Sequence, residues 1–504
     1  MPSRRLNTLV ALATLSLAAS VHAETRCQRI LQQLGSALAD ATCTESADLT
    51  TNNAATTPAD NSVSGLPAFA FTPVTDRAKI SPSAPNRTPI TKAVPGVQID
   101  ARIAADPTGE GRFLLRLPDA WNGRLVVAGA SGTRSEFNGD YAWSDYVVQK
   151  GYAYASQNKG VLNLYLAAVS AAPPADPLAC RLNPDSPVWV HFYDNDPGQA
   201  FTRWREYMID AAQLARQGLR AAYGSGPRYT YGVGTSNGGY QVRRAVETAP
   251  ELFDGGVDWE GTFVDPHAPN ILTDLPAGVL NFPDYIKSGC DPNSTAAKNI
   301  RAAGYPPDIL NGACPAATAT TPQTTLWGNY SSDFWEVTEC QWQKRLDPGY
   351  NTYVSGTAAY NYVDRLAFSD VGSQMQAFAT TGEIKRPLIT VAGTMDALLP
   401  IEHHARAYAR LVAASAAHQH GDDEDRGAPE YRLYEVQNGN HIESYKDSFP
   451  QLELIQPHAQ HAFDLLVAFV EHRAPLPPSQ CIPRGGAIAG APGQPGHCAS
   501  LLAP

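Results

Sequence analysis

The chain opens with an apolar run from Leu9 to Ala19, set behind Arg4 and Arg5 and closed by Val21-His22-Ala23. A basic start, a short apolar stretch and a small-residue end predict a cleaved export leader over residues 1–23, since the run is too short to cross a bilayer. A short helix bounded by Cys27 and Cys43 is predicted over 24–44, then a Thr-, Asn-, Ala- and Asp-rich linker over 45–65. The period then becomes two. Val97, Ile99, Ala101 and Ile103 share one face, and Phe113, Leu115 and Leu117 follow, predicting two early antiparallel strands.

Beyond residue 119, short apolar runs alternate with stretches of helical period. Strands are predicted at 124–129, 152–156, 229–233, 255–259, 387–392 and 431–436, and helices at 141–150, 198–222, 237–248, 403–413 and 462–472. In the 198–222 helix, Trp204, Met208, Ala211, Ala215 and Leu219 recur on one face. Such alternation implies an α/β fold: a mostly parallel sheet with helices on both faces. Residues 263–383 interrupt it with Pro, Asn, Thr and many aromatics, among them Trp327, Trp335 and Trp342. That length is unusual for a structureless loop, so a large inserted lid domain above the strand ends is predicted. The chain therefore divides into a leader (1–23), an N-terminal segment with early strands (24–118), a core in two parts (119–262 and 384–475), the lid (263–383) and an irregular tail (476–504).

Composition narrows the partners. With 504 residues, 43 % hydrophobic and 17 % charged, the chain is globular. Its formal charge of −11 disfavours nucleic acid and polyanionic substrates. No further segment reads as membrane-spanning, so no membrane partner is expected. The eight cysteines show no CxxC spacing, which points to disulfides in an oxidising compartment and away from zinc. A secreted or periplasmic location follows. Nearest-neighbour pairing would join Cys27–Cys43, Cys290–Cys314 and Cys481–Cys498, leaving Cys180 for Cys340, although sequence alone leaves connectivity open. The acidic run Asp422-Asp423-Glu424-Asp425 reads as a solvated loop rather than a calcium site.

The chemistry centres on Gly234-Thr235-Ser236-Asn237-Gly238-Gly239, a Gly-x-Ser-x-Gly turn between a predicted strand and helix. A serine on so tight a turn needs small neighbours, and Gly234 and Gly238 supply them. Ser236 is the candidate nucleophile, and the Asn237 amide at the helix start is a candidate oxyanion donor. A serine hydroxyl needs a base, and in this fold an acid and then a histidine follow it in the chain. Asp396 follows the buried 387–392 strand and His441 follows the last strand, in Asn438-Gly439-Asn440-His441. Asp258, at another strand end, is the second candidate acid, and His191, His403, His404, His458, His461 and His472 are rival histidines. The loop Ala128-Gly129-Ala130-Ser131-Gly132 offers Ala130 or Ser131 as second oxyanion donor. Trp259 and Glu260 are candidate substrate-binding residues. This chemistry requires no metal and no cofactor.

The elbow, the helix from Tyr240 to Pro250 and Phe253-Asp254-Gly255 together resemble the nucleophile region of the tannase and feruloyl esterase family. That resemblance implies an α/β-hydrolase fold, a lid shaping the acyl pocket and serine esterase activity. That family typically carries cysteines before the serine and after the histidine, where this chain has Thr235 and Ile442. Gly151 to Gly160, the elbow without flanking cysteines and Asp258-Trp259-Glu260-Gly261 are similar to the 3-hydroxybutyrate oligomer hydrolases. This second resemblance implies cleavage of an aliphatic hydroxyalkanoate oligomer ester, a small or oligomeric substrate. A phenolic esterase, a secreted serine peptidase and a non-catalytic binding protein on the same scaffold are the alternatives.

Overall fold

A computed structural model describes residues 24–60, 72–132, 135–193, 201–267, 269–316, 324–350, 360–419 and 430–504. The predicted leader and the acidic run at 422–425 lie outside these residues, as does the end of the 45–65 linker.

Ten strands form one sheet: β1 (Leu38–Ser46), β2 (Gly96–Ile103), β3 (Arg112–Pro118), β4 (Arg124–Gly129) and β5 (Ala153–Gln157) on one side. Three further strands, β6 (Leu162–Val169), β7 (Cys180–Arg181) and β8 (Val188–Tyr193), pair separately in the order β6-β8-β7. The large sheet resumes with β9 (Tyr229–Thr235), β10 (Gly255–Trp259), β11 (Leu388–Gly393), β12 (Tyr431–Val436) and β13 (Gln480–Ile482). Its order is β1-β2-β3-β5-β4-β9-β10-β11-β12-β13. The pairs from β5 through β4 to β13 are parallel, whereas β1, β2 and β3 are antiparallel additions.

Strand alternation builds two layers. In β4, Leu125 and Val127 pack with Met208, Ala211 and Ala215 of the helix Trp204–Tyr223. Val126 and Ala128 turn to the other face, toward Phe463 and Leu466 of the helix Gln456–His472. Period two in the strands and 3.6 in the helices thus converge on one double-layered core. The lid predicted for 263–383 falls between β10 and β11, where the described residues form six helices between Ile271 and Gln376. These pack around Leu275, Trp327, Tyr330, Trp335 and Trp342 as a third core.

Three expectations change. The helix predicted over 24–44 spans only Arg26–Leu34: Thr25 caps its start and Gly35, at φ +48°, ends it. The chain then turns into β1, whose alternating burial pairs it with β2. The tail read as irregular supplies β13, the last strand of the sheet, pinned by Cys481–Cys498. Residues 162–193, given no element from sequence, form the small sheet. The 198–222 helix is found at Trp204–Tyr223. All four disulfides follow the nearest-neighbour pairing, Cys180–Cys340 included. That last bridge ties β7 to the helix Trp335–Leu346 across 160 residues, fixing the small sheet against the inserted helices. Among the described residues no helix is long and apolar enough to cross a membrane.

Candidate active site

β9 runs straight into the helix Asn237–Thr248, and Ser236 sits at the junction with φ +59° and ψ −123°. A side-chain-bearing residue with positive φ is strained, and such strain persists where the surroundings impose it. Here the Ser236 amide donates to the Trp259 carbonyl at 2.9 Å. The sharpness of the turn explains its glycines. A Cβ on Gly234 would lie 2.3 Å from the Gly238 carbonyl oxygen, and one on Gly238 would lie 2.6 Å from that of Gly129. The turn that carries Ser236 is thereby pressed against the end of β4.

Asp396 and His441 come from the ends of β11 and β12, the two strands beyond β10. The loops are laced together: the Thr394 amide donates to the Val436 carbonyl, and the Met395 amide to that of Gly439. Asp396 is 1 % exposed. One of its oxygens accepts from the Leu398 and Leu399 amides at 2.8 and 2.7 Å, and the other meets His441 Nδ1 at 2.8 Å. The acid is therefore aimed by backbone donors and in turn aims the imidazole. Asn438, at φ +66°, and Asn440, whose side-chain oxygen accepts from the Tyr330 hydroxyl, hold the turn that carries His441.

Ser236, Asn237 and His441 open onto one cavity of about 280 Å3. Aliphatic side chains make up most of the apolar part of its wall. Val190 comes from the small sheet and Leu182 from just beyond β7, Ile271 and Val337 from the inserted helices, and Leu398 and Ile442 from the loops of the triad candidates. Phe334 is the aromatic member, and Lys79 and Asp333 bring charge to the wall.

The oxyanion candidates separate. The Ala130 amide is directed to Gln241 Oε1 at 2.9 Å, and Ala130 does not line the cavity. Ser131 does line it, beside Gly132; its amide reaches Asn138 Oδ1 at 3.2 Å. The buried Lys159 ammonium donates to the carbonyls of Ser131 and Gly132 and sets this loop. Asn237 also lines the cavity, with its side-chain oxygen accepting from the Thr262 hydroxyl at 2.7 Å. The roles of Lys159, Gln241 and Thr262 were not read from the sequence; each acts through the fold rather than through a motif.

Other candidates go elsewhere. Asp258 is fully buried against Arg243 Nε at 2.6 Å and accepts from Thr390 and Gly261, away from His441. His403 and His404 both face Asp274 of the first inserted helix, at 2.8 and 3.3 Å. His191 pairs with Asp176. Trp259 and Glu260 are not on the wall of the large cavity; the structure corrects that placement. Trp259 borders a small pocket of about 20 Å3 on another side of His441. Glu260 lies behind His441, because the backbone at φ +51° turns its side chain inward. Among the described residues, the side chains spaced to hold a metal ion are Glu260, Asp396 and His441, whose ligating atoms lie within 4.8 Å of one another.

Sheet order and elbow together decide the architecture. Read from β2, the order β2-β3-β5-β4-β9-β10-β11-β12 places a serine elbow after the fifth strand, Asp396 after the seventh and His441 after the eighth. The fold is an α/β-hydrolase fold. Residues 357–497 match the family model described as 3HB-oligomer hydrolase. A D-(-)-3-hydroxybutyrate oligomer hydrolase from Burkholderia thailandensis is 35 % identical over 130 residues, covering 24 % of this chain and 17 % of that protein. One from Ralstonia pickettii is 33 % identical over 157 residues, covering 27 % and 20 %. The chain thus matches about a fifth of the length of these curated relatives. Feruloyl esterase B from Aspergillus oryzae superposes with a TM-score of 0.46 at 14 % identity, covering 90 % of this chain and 91 % of that one. The resemblance to the 3-hydroxybutyrate oligomer hydrolases read from the sequence is borne out over the matched segment.

A pH effect arises close to the site. Glu443 is buried, and burial pushes its carboxyl from 4.5 up to about 7, although the Ile455 and Gln456 amides donate to it. The folded chain then holds that proton between pH 4.5 and 7 while the unfolded chain releases it, so this group's contribution to stability falls as pH rises through that window. Glu443→Gln cannot release a proton. The melting temperature of the variant relative to the parent is expected to rise from pH 5 to pH 8; a constant difference would refute the shift.

Proposed function

We propose that the protein is a secreted serine hydrolase that cleaves carboxylic esters through an acyl-enzyme, with aliphatic hydroxyalkanoate oligomers of the 3-hydroxybutyrate type as substrates. The observation that carries this reading is the convergence of a strained Ser236 and an Asp396-held His441 on one aliphatic cavity. With Nδ1 engaged by Asp396, His441 keeps Nε2 to take the Ser236 proton as the hydroxyl attacks the ester carbonyl. The Asn237 amide at the helix start, with the Ser131 loop, would hold the developing oxyanion. The alcohol leaves with the proton from His441. Water, deprotonated by the same histidine, then releases the acid. The inserted helices would act as the lid that excludes bulk water from this cavity.

The aliphatic side chains suit a methyl-bearing acyl chain better than a phenolic ring, which favours the hydroxyalkanoate reading over tannase or feruloyl esterase activity. Thr235 and Ile442 stand where the phenolic esterases typically carry cysteines. The four disulfides fit export into an oxidising compartment. The purified protein, with Ser236→Ala as blank, is to be assayed on 3-hydroxybutyrate trimer, methyl ferulate, methyl gallate and a peptide amide. Preference for the trimer is the expected outcome. Preference for an aromatic ester would overturn the substrate class, and preference for the amide would make the protein a peptidase.

A further inference from the structure

Two carboxylates, not one, stand at the far side of the His441 ring. Asp396 makes the hydrogen bond to Nδ1; Glu260 Oε2 lies 3.6 Å from the same nitrogen. That spacing is too long for a hydrogen bond and short enough to become one after a shift of about 0.5–1 Å. The two acids arrive from neighbouring strands, Asp396 beyond the end of β11 and Glu260 at the end of β10.

Three observations argue that Glu260 is a built feature of the site. It is 3 % exposed, and its carboxyl is held by the Gly393 amide at 2.9 Å and the Trp259 indole at 3.1 Å. Its backbone carries φ +51°, a conformation that glycine would adopt without strain, so a long acidic side chain is maintained there against a backbone cost. Finally, the carboxyl faces Asp396, Glu443, the Tyr330 hydroxyl and His441, a setting in which burial and the charge of Asp396 push its pKa well above the usual range. The negative charge of Asp396 thus works against ionisation of Glu260. Without Asp396 one cause of that shift disappears, and the acid ionises more readily beside the imidazole.

We propose that Glu260 is a second positioning carboxylate for His441, confining the ring in the intact enzyme and able to orient it when Asp396 is lost. This rests on the proposed triad, and the test separates the two. Ester hydrolysis by Asp396→Ala and by Asp396→Ala/Glu260→Gln is to be compared with the parent, with Ser236→Ala as the zero. An Asp396→Ala enzyme that loses only about 10²-fold in kcat, short of the roughly 10⁴-fold expected for a sole orienting acid, supports the proposal. Glu260→Gln in that background should cost at least a further tenfold in kcat, and a smaller factor in the parent, where Asp396 still orients the ring.

The pH profile distinguishes positioning from mere packing. A carboxylate beside an imidazole raises its pKa, so removing the last one should move the acid limb of kcat/KM to lower pH by about one unit between single and double variant. Because Asp396→Ala also removes the acceptor for the Leu398 and Leu399 amides, the comparison is repeated in Asp396→Asn, which keeps it. Equal activity and equal acid limbs in the Asp396 variants with and without Glu260→Gln would overturn the proposal. Full activity in Ser236→Ala would instead overturn the triad itself.

Discussion

Ser236→Ala is expected to lower kcat by about 10⁴-fold or more while leaving the melting temperature within a few degrees of the parent. The loss is large because the acyl-enzyme route needs an oxygen at that one point of the turn. Alanine has the same backbone requirement as serine, so the elbow keeps its shape. What little catalysis remains would come from the oxyanion donors and the cavity acting on water. His441→Ala should cost as much as Ser236→Ala, and the double variant no more than either, because nucleophile and base act as one unit. Initial rates on the hydrolysed ester, with a thermal melt of each variant, check both halves of this result.

The largest effect on stability is expected at Asp258. It was the second candidate for the catalytic acid, and its fully buried carboxylate instead meets Arg243 Nε at 2.6 Å. Arg243 also stacks over the Tyr408 ring, 4.2 Å from its centroid. Asp258→Ala would leave a guanidinium without its counter-charge in a dry layer and strip the Gly261 amide and Thr390 hydroxyl of their acceptor. Breaking a buried pair from one side costs about 3–5 kcal/mol. The variant should therefore melt well below the parent at a fixed heating rate, yet retain turnover per folded molecule at temperatures where it stays folded. A variant with normal melting and no turnover would instead mean that Asp258 serves the chemistry.

The tight turn at Ser236 was legible in the sequence because its constraints are local. Gly234 and Gly238 are demanded because a Cβ on either would lie only 2.3 or 2.6 Å from a carbonyl oxygen of the same loop or the neighbouring strand end. Asp396 and His441 were legible because each follows a strongly apolar strand, and strand ends gather on one side of a parallel sheet. The two-layer core was readable for the same reason: β4 and β11 are runs whose alternate residues serve opposite faces. What escaped depends on contacts distant in sequence. β1 was read as helix because Leu38–Ser46 carries mostly small and polar residues, and only its pairing with β2 makes it a strand. The small sheet lacks a clean period, with register irregularities between β6 and β8. Glu260 follows Trp259 in the chain, and no pattern tells which way its side chain turns; a positive φ decides it. The commitment of the Ala130 amide likewise depends on Gln241, 111 positions away.

The central claim is that Ser236 is a nucleophile activated by His441, and a fluorophosphonate probe followed by peptide mapping tests it most directly. The account predicts a single adduct on the peptide containing Ser236 in the parent, lost in Ser236→Ala and slowed by at least about 10²-fold in His441→Ala. An adduct elsewhere, or none on a protein that melts normally, would contradict it.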